Sequence, residues 1–213
     1  MKIEWLGHAS FLIETLGKTI ITDPFDETIG YQTYNKEVDY ATVSHNHFDH
    51  NAVHLLKGEP QVINTLEEIQ TNEIIFRGIA SYHDSEKGLL RGSNIIYKII
   101  AEDINLVHLG DLGHVLDEKT IQEIGKVDIL FIPVGGTFTV DAKEALYIVD
   151  QLAPKIIIPM HYDTPHLSFE LAPVEEFTSS CDIVTKKPYI EISPAAWGTD
   201  KQVILLDYLS WLT

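Results

Sequence analysis

Cysteine occurs once in this 213-residue chain, at Cys181. That excludes an intrachain disulfide framework and any zinc or iron–sulfur site built on several thiolates. Cations are scarce too: 15 Lys and Arg stand against 32 Asp and Glu, for a net charge of -17. A grip on a phosphate backbone needs clustered Lys and Arg, so nucleic acid is disfavoured as a partner. No apolar run approaches the roughly 18 residues of a spanning helix, and the opening MKIEWLGHAS has no signal-peptide core. A cytoplasmic protein with no membrane partner is therefore expected. Repeats, low-complexity tracts and Pro/Gly linkers are also missing, so residues 1–213 are expected to form one domain.

The first half of the chain reads as short strands. Lys2–Leu6, Ser10–Glu14 and Thr19–Thr22 are β-branched or aromatic runs separated by Gly7 and Gly17. Asp23-Pro24 breaks the pattern, and 26–37 is polar and irregular, a loop that could overhang a site. Further strands are expected at Tyr40–Ser44, Ile74–Tyr82, Asn94–Ala101 and Ile104–Leu109. The second half alternates strands at 128–133, 156–159 and 203–207 with helices at 117–124, 141–152 and 174–180. In the 141–152 helix Asp141 can cap and Glu144 sits three residues on, as in a capping box.

The abundant residue is histidine, with ten copies. A lone histidine would more often cap a strand or satisfy a buried group than bind a metal. The window His45-Asn46-His47-Phe48-Asp49-His50 reverses that balance by placing three imidazoles and a carboxylate at a strand end. Alternation sends His45 and His47 to one side, while Asp49 and His50 follow in the turn and can face a neighbouring position. Each site needs further donors, because zinc-like ions take four or five. His83, Asp111 and His161, each also at the end of a strand, are nominated to complete them. Asp111 can bridge two ions about 3.5–4 Å apart.

The motif His45-x-His47-x-Asp49-His50, followed in order by His83, Asp111 and His161, resembles that of the metallo-β-lactamase superfamily of dinuclear metal hydrolases. The likeness runs through nearly the whole chain and includes Thr22-Asp23-Pro24-Phe25. It implies an α/β fold, the four-layer αβ/βα sandwich, with two mixed β-sheets packed face to face, helices outside and metals at one edge. It also implies that His45, His47 and His83 hold one metal, that Asp49, His50 and His161 hold the other, and that Asp111 bridges. Gly7-His8-Ala9-Ser10, the 110–114 stretch GDLGH, the 133–141 stretch PVGGTFTVD and the 159–163 stretch PMHYD are similar to the small metal-dependent hydrolases related to ascorbate-6-phosphate lactonase.

Two departures narrow the activity. Asp111 stands where antibiotic-hydrolysing members commonly carry cysteine, and His47 stands where flavin-linked di-iron oxygen reductases carry Glu. The RNA-gripping helical arm of transfer-RNA-processing relatives has no counterpart. The reading is a hydrolase using hydroxide activated by two divalent ions, zinc first, with manganese or iron as alternatives. The substrate is a small molecule, an ester, lactone or phosphoester that can be anionic, and a homo-oligomer is open. The alternatives are a phosphodiesterase acting on a nucleotide or nucleic acid, and a metal-binding protein with little turnover. Asp49, His8 and His114 are the catalytic candidates. Asp23 is weighed as a turn former or a support to a ligand, and Tyr162 and Asp163 as loop residues beside one. His54, His108 and His166 are read as structural.

Overall fold

The computed structural model describes residues 1–71, 73–193 and 201–209. Strand β1 (Lys2–Gly7) alternates strictly at its start, with Ile3 and Trp5 buried while Lys2 and Glu4 are half-buried on the other face. It pairs antiparallel with β2 (Ser10–Thr15), which pairs antiparallel with β3 (Lys18–Thr22). From there pairing turns parallel, to β4 (Tyr40–Thr42) and then β5 (Gln61–Ile63). On the far side of β1 lies β13 (Ile190–Glu191), giving a six-stranded sheet.

The second sheet has eight strands. Strands β6 (Ile69–Gln70), β7 (Ile75–Tyr82), β8 (Ser93–Ala101) and β9 (Ile104–His108) form an antiparallel meander. Beyond β9 the order β10 (Ile129–Pro133), β11 (Ile156–Met160), β14 (Gln202–Leu206) and β12 (Val184–Lys187) is parallel throughout. Buried on both faces, β10 and β11 read as unbroken apolar runs.

The sheets meet through one apolar core. Phe11 of β2 stacks on Phe131 of β10 with ring centroids 4.0 Å apart, and Ile3, Trp5, Ile13 and Ile20 belong to the same cluster as Ile99, Leu106 and Ile129. The next residues along the strands, Leu6, Leu12 and Ile21, point the other way into a second cluster.

Helices α1 (Glu118–Ile124), α2 (Ala142–Leu152) and α3 (Glu175–Thr178) accompany the second sheet. Helix α1 lies against β7, α2 crosses from β10 to β11, and α3 packs on α2. The capping box of Asp141 and Glu144 is formed, which explains Asp141 without the site. The expected α/β sandwich of two mixed sheets is thus present, but its helices are few. Over the first sheet, Phe25, Ile29, Tyr31, Tyr34, Val38 and Leu56 supply the cover from an irregular segment with two 3-10 turns. That segment lacks a helical apolar period; its aromatic rings pack directly onto Leu6, Leu12 and Ile21. The 26–37 loop spreads over this face and meets the 164–168 segment, where Tyr31 Oη bonds the Thr164 hydroxyl.

Asp128 pins the start of β10. Its fully buried carboxylate accepts from the Asn105 backbone N–H at 3.0 Å and from Asn105 Nδ2 at 2.9 Å, with Lys126 and Lys155 at 3.1 and 3.2 Å. Burial acts to raise its pKa, but these donors outweigh it and hold the carboxyl at about 2, below its ordinary 3.8. The stability it supplies is therefore present above about pH 4 and lost as the pH falls toward about 2. Asp128→Ala should cost about 1–3 kcal/mol in urea unfolding at pH 7, with the difference from the native chain shrinking below about pH 4.

Candidate metal centre

Strands β7 and β9 both run antiparallel to β8, so they point the same way, as do the parallel strands β9, β10 and β11. Their carboxyl ends form one edge, and it delivers His83 after β7, Asp111 after β9 and His161 after β11. From the first sheet, Asp23 follows β3, and β4 leads into Ser44 and His45. The turn from β1 to β2 adds His8. Cross-sheet hydrogen bonds align the two contributions: His161 N–H donates to His8 C=O at 3.1 Å, and Ile95 N–H to Ser44 C=O at 2.8 Å.

The backbone is tight here. A Cβ on Gly113 would come within 2.4 Å of the His83 backbone, and one on Gly135 within 2.2 Å of the His161 carbonyl oxygen. Only glycine lets the 110–114 and 134–136 loops lie directly on two of the nominated ligands. His8, Asp23 and His161 themselves hold left-handed φ values of 52°, 39° and 53°. Such conformations are uncommon for residues with a side chain and persist when surrounding contacts enforce them.

All seven sequence-nominated ligands converge. Asp111 is the hub: its Oδ2 lies 3.3 Å from His50 Nε2, 3.2 Å from His83 Nε2, 3.2 Å from His161 Nε2 and 4.0 Å from His45 Nε2. His45, His47 and His83 gather as one triad whose ligand atoms all lie within 4.8 Å of one another. His8, His50 and His161 gather as a second triad on the same criterion. Asp49 Oδ2 borders it, 3.2 Å from His8 Nε2 and 3.7 Å from His50 Nε2. The catalytic candidate His8 is thus at the centre of the cluster. His114 is not: its Nδ1 lies 2.8 Å from the Val115 carbonyl, its Nε2 accepts from Tyr82 N–H, and its ring lies against Tyr82.

The donor set fits divalent metal. Deep in the protein, His8 Nδ1, His50 Nε2, His83 Nδ1, His161 Nδ1 and Asp111 Oδ1 have no hydrogen-bond partner among the described residues. Leaving buried polar atoms unpartnered costs about 1–3 kcal/mol each; of these, His50 Nε2 and Asp111 Oδ1 lie among the crowded ring nitrogens of the cluster, where a cation would partner them. Electrostatics agree. Burial drives His8 to about 4 and His45 to about 3, keeping both imidazoles neutral and able to donate lone pairs. Burial works to raise the Asp111 carboxyl, yet the surrounding imidazoles of His161 and His50 take it well below the usual range. His50 is pulled well above its ordinary value, against burial, by Asp111 and Asp23.

A supporting network orients the ligands. Asp23 Oδ2 accepts from His50 Nδ1 at 2.9 Å and from the Ser44 hydroxyl, and its Oδ1 accepts from Ser44 N–H at 2.7 Å. Ser44 Oγ in turn lies 2.9 Å from His45 Nδ1. One carboxylate therefore steadies an imidazole of each triad. Asn94 accepts from Asp111 N–H at 3.0 Å and donates to the Leu109 carbonyl at 2.9 Å, fixing the hub loop. Ser44 and Asn94 were not singled out from sequence. A serine before the histidine window is a weak signal in retrospect, and Asn94, on a strand of isoleucines, has none. His108 bridges Ala9 C=O and Gly110 N–H, His166 bonds Tyr208 Oη, and His54 sits in a 3-10 turn, all structural. Tyr162 packs on Trp5.

Comparison with known proteins agrees with this geometry. Residues 2–161 match the model of the β-lactamase superfamily domain. A UPF0173 metal-dependent hydrolase of Nanoarchaeum equitans is 33% identical over 77% of this chain and 85% of its own. Another, from Koribacter versatilis, is 29% identical over 88% and 96%. A crystal structure from Thermotoga maritima, ascribed to a Zn-dependent hydrolase of the metallo-β-lactamase superfamily, superposes with a TM-score of 0.83. It is 39% identical and covers 96% of this chain and 97% of that one.

Asp23→Asn keeps the shape of the supporting carboxylate but turns a donor toward His50 Nδ1. Divalent-ion affinity, read by competition with a chromophoric chelator, should fall about 10- to 100-fold with an unchanged far-UV circular dichroism spectrum. Unaltered affinity would remove Asp23 from the support of the ligands.

Proposed function

The chain belongs to the metallo-β-lactamase superfamily of metal-dependent hydrolases, and on that footing we propose that it cleaves a small ester, lactone or phosphoester at a centre of two divalent ions. The observation that carries the reading is Asp111 Oδ2, which reaches His83 of one imidazole triad and His50 and His161 of the other within 3.3 Å. A single carboxylate placed between two nitrogen-rich pockets suits two cations held side by side.

His45, His47 and His83 would hold the first ion. His50 and His161, with Asp49 and His8 beside them, would hold the second, and Asp111 would serve both. Zinc suits this imidazole-rich set best, with manganese or iron as alternatives. Bound there, the ions supply Lewis acidity toward the substrate oxygen and an activated water as nucleophile. The chain's own part is orientation and proton handling. His8 Nε2 can hold a proton toward Asp49 Oδ2, which lies 3.2 Å away. That proton sits next to the second triad, where a leaving group would need it. Asp23 and Ser44 keep His50 and His45 turned inward. Asp49 is the most solvent-facing carboxylate of the group, its side chain 13% exposed against 3% for Asp111. With a net charge of -17, large polyanions are poor candidates, and a small molecule is favoured.

The test is metal analysis combined with a hydrolysis panel of aryl esters, lactones and phosphodiesters. Turnover should vanish with chelator and return with a divalent ion. Asp111→Asn should lower kcat on the order of 100-fold or more and reduce bound metal from two equivalents. Chelator-resistant hydrolysis, or a fully active Asp111→Asn variant holding two ions, would overturn the reading.

A further inference from the structure

Around the metal cluster stands a wall that the hydrolytic residues do not explain. It begins at His83. The next residue, Asp84, is buried, and its carboxylate accepts four backbone N–H bonds: from Glu86 at 2.8 Å, Gly88 at 2.9 Å, Leu90 at 3.1 Å and Arg91 at 2.7 Å. The loop that follows His83 is therefore wrapped about one side chain, and Arg91 is tied by its own N–H to the residue beside a metal-site histidine.

From that anchor the guanidinium carbon of Arg91 sits 5.4 Å over the ring of Phe138. Phe138 meets Phe169 edge to face at 6.0 Å, and Phe169 meets the His8 ring at 5.7 Å. The loops bearing these rings are fastened to the cluster as well. Val140 N–H donates to Leu112 C=O at 2.9 Å, and Ala172 N–H to Gly135 C=O at 3.0 Å. A continuous line thus runs outward from a buried imidazole, across two aromatic faces, to a cation.

That cation is unusual for this chain. There are two arginines. Arg77 is bound to Glu68 at 2.6 Å, whereas Arg91 is exposed and has no carboxylate within 4.0 Å among the described residues. In a protein carrying 32 acidic residues, a guanidinium kept off every described carboxylate and placed over a ring is free to take an external anion. A cation–π contact restricts a guanidinium's motion without using its N–H donors, which stay available for two-point binding of carboxylate or phosphate. Phe138 is 38% exposed, so apolar ring surface lies open between the cation and the interior.

We propose that Arg91, Phe138 and Phe169 form a substrate subsite for an anionic end-group, so that the favoured substrate carries its scissile bond at the metal cluster and, across an apolar arm, a carboxylate or phosphate at Arg91. This rests on the hydrolytic reading of the cluster and specifies its substrate class. Arg91 acts in binding and selectivity, and no bond changes at it.

Two measurements separate the subsite from the reaction. In the first, the metal-loaded enzyme is given phenyl hydrogen glutarate and its terminal-amide analogue, two phenyl esters that differ only in the far charge. The native enzyme should prefer the acid by about tenfold in kcat/KM, chiefly through KM, as loss of a charge-assisted bidentate contact implies. Arg91→Met should bring that ratio close to one, and Arg91→Lys should restore part of it. In the second, the anilide of glutarate, an amide analogue of the same acid, is titrated while the two arginine Nε–H resonances are followed by NMR. Arg91 should shift saturably and Arg77, engaged with Glu68, should not. An acid-to-amide ratio unchanged in Arg91→Met would overturn the subsite. So would an Arg91 resonance that stays still, or one that moves in step with Arg77. If neither ester is hydrolysed the hydrolytic reading fails on that class, and the titration still decides the subsite.

Discussion

A buried carboxylate shapes this molecule. Asp111 is 2% exposed and carries its charge inside the protein, where an uncompensated anion costs far more than a single hydrogen bond returns. No lysine or arginine of the described residues lies within 4.0 Å of it. Compensation comes from imidazoles on separate strands, His50 from the first sheet and His83 and His161 from the second. That requirement explains why the carboxyl ends of β3, β4, β7, β9 and β11 must share one edge. It also explains why the Phe11–Phe131 stack matters to the site: by clamping sheet to sheet it sets the separation across which those side chains meet. Ring nitrogens from three loops crowd one oxygen of the Asp111 carboxylate, an arrangement complementary to cations.

The hydrogen bonds behind the ligands follow from the same constraint. An imidazole that offers one nitrogen inward needs the other fixed, or the ring turns. Asp23 fixes His50 directly and His45 through Ser44, so the two triads share one support. Asn94 does the equivalent for Asp111 by holding its backbone N–H. A change at Asp23 is therefore felt on both sides of the cluster. A change at His47, exposed and bonded among the described residues only to its neighbour His45, is felt on one.

How much of this was legible in the sequence depended on whether the signal was local. The 45–50 window concentrates its chemistry in six residues, and apolar strands bounded by glycine show themselves by composition, so the central strands and the seven residues that converge on one edge could be nominated. The four strands that escaped notice, β5, β6, β12 and β13, are the four edges of the two sheets. An edge strand is short and half in solvent; Val62 and Val184 are 40% and 37% exposed, so no burial pattern marks them. His8 was nominated, but its partnership with His50 and His161 was not, because it depends on a turn about 40 residues before one and 150 before the other. His114 was nominated beside His8, but the structure sets its ring against Tyr82 and backbone, outside the cluster.

Strain completes the picture. His8, Asp23 and His161 all adopt left-handed backbone, a state worth of order 1–3 kcal/mol against each residue. All three touch the cluster, and hydrogen bonds hold each in place: His161 N–H to His8 C=O, Asp23 N–H to Thr42 C=O and Trp5 Nε1 to His8 C=O. Glycine at any of these positions would relieve the strain and also delete the side chain that the cluster needs. The fold therefore accepts unfavourable backbone where side-chain chemistry is indispensable. It reserves glycine for positions such as 113 and 135, where close approach is needed and no side chain is. The division puts the reactive groups on the stiffest part of the molecule, the ends of buried strands. Arg91, Phe138 and Phe169 are left to the loops beyond.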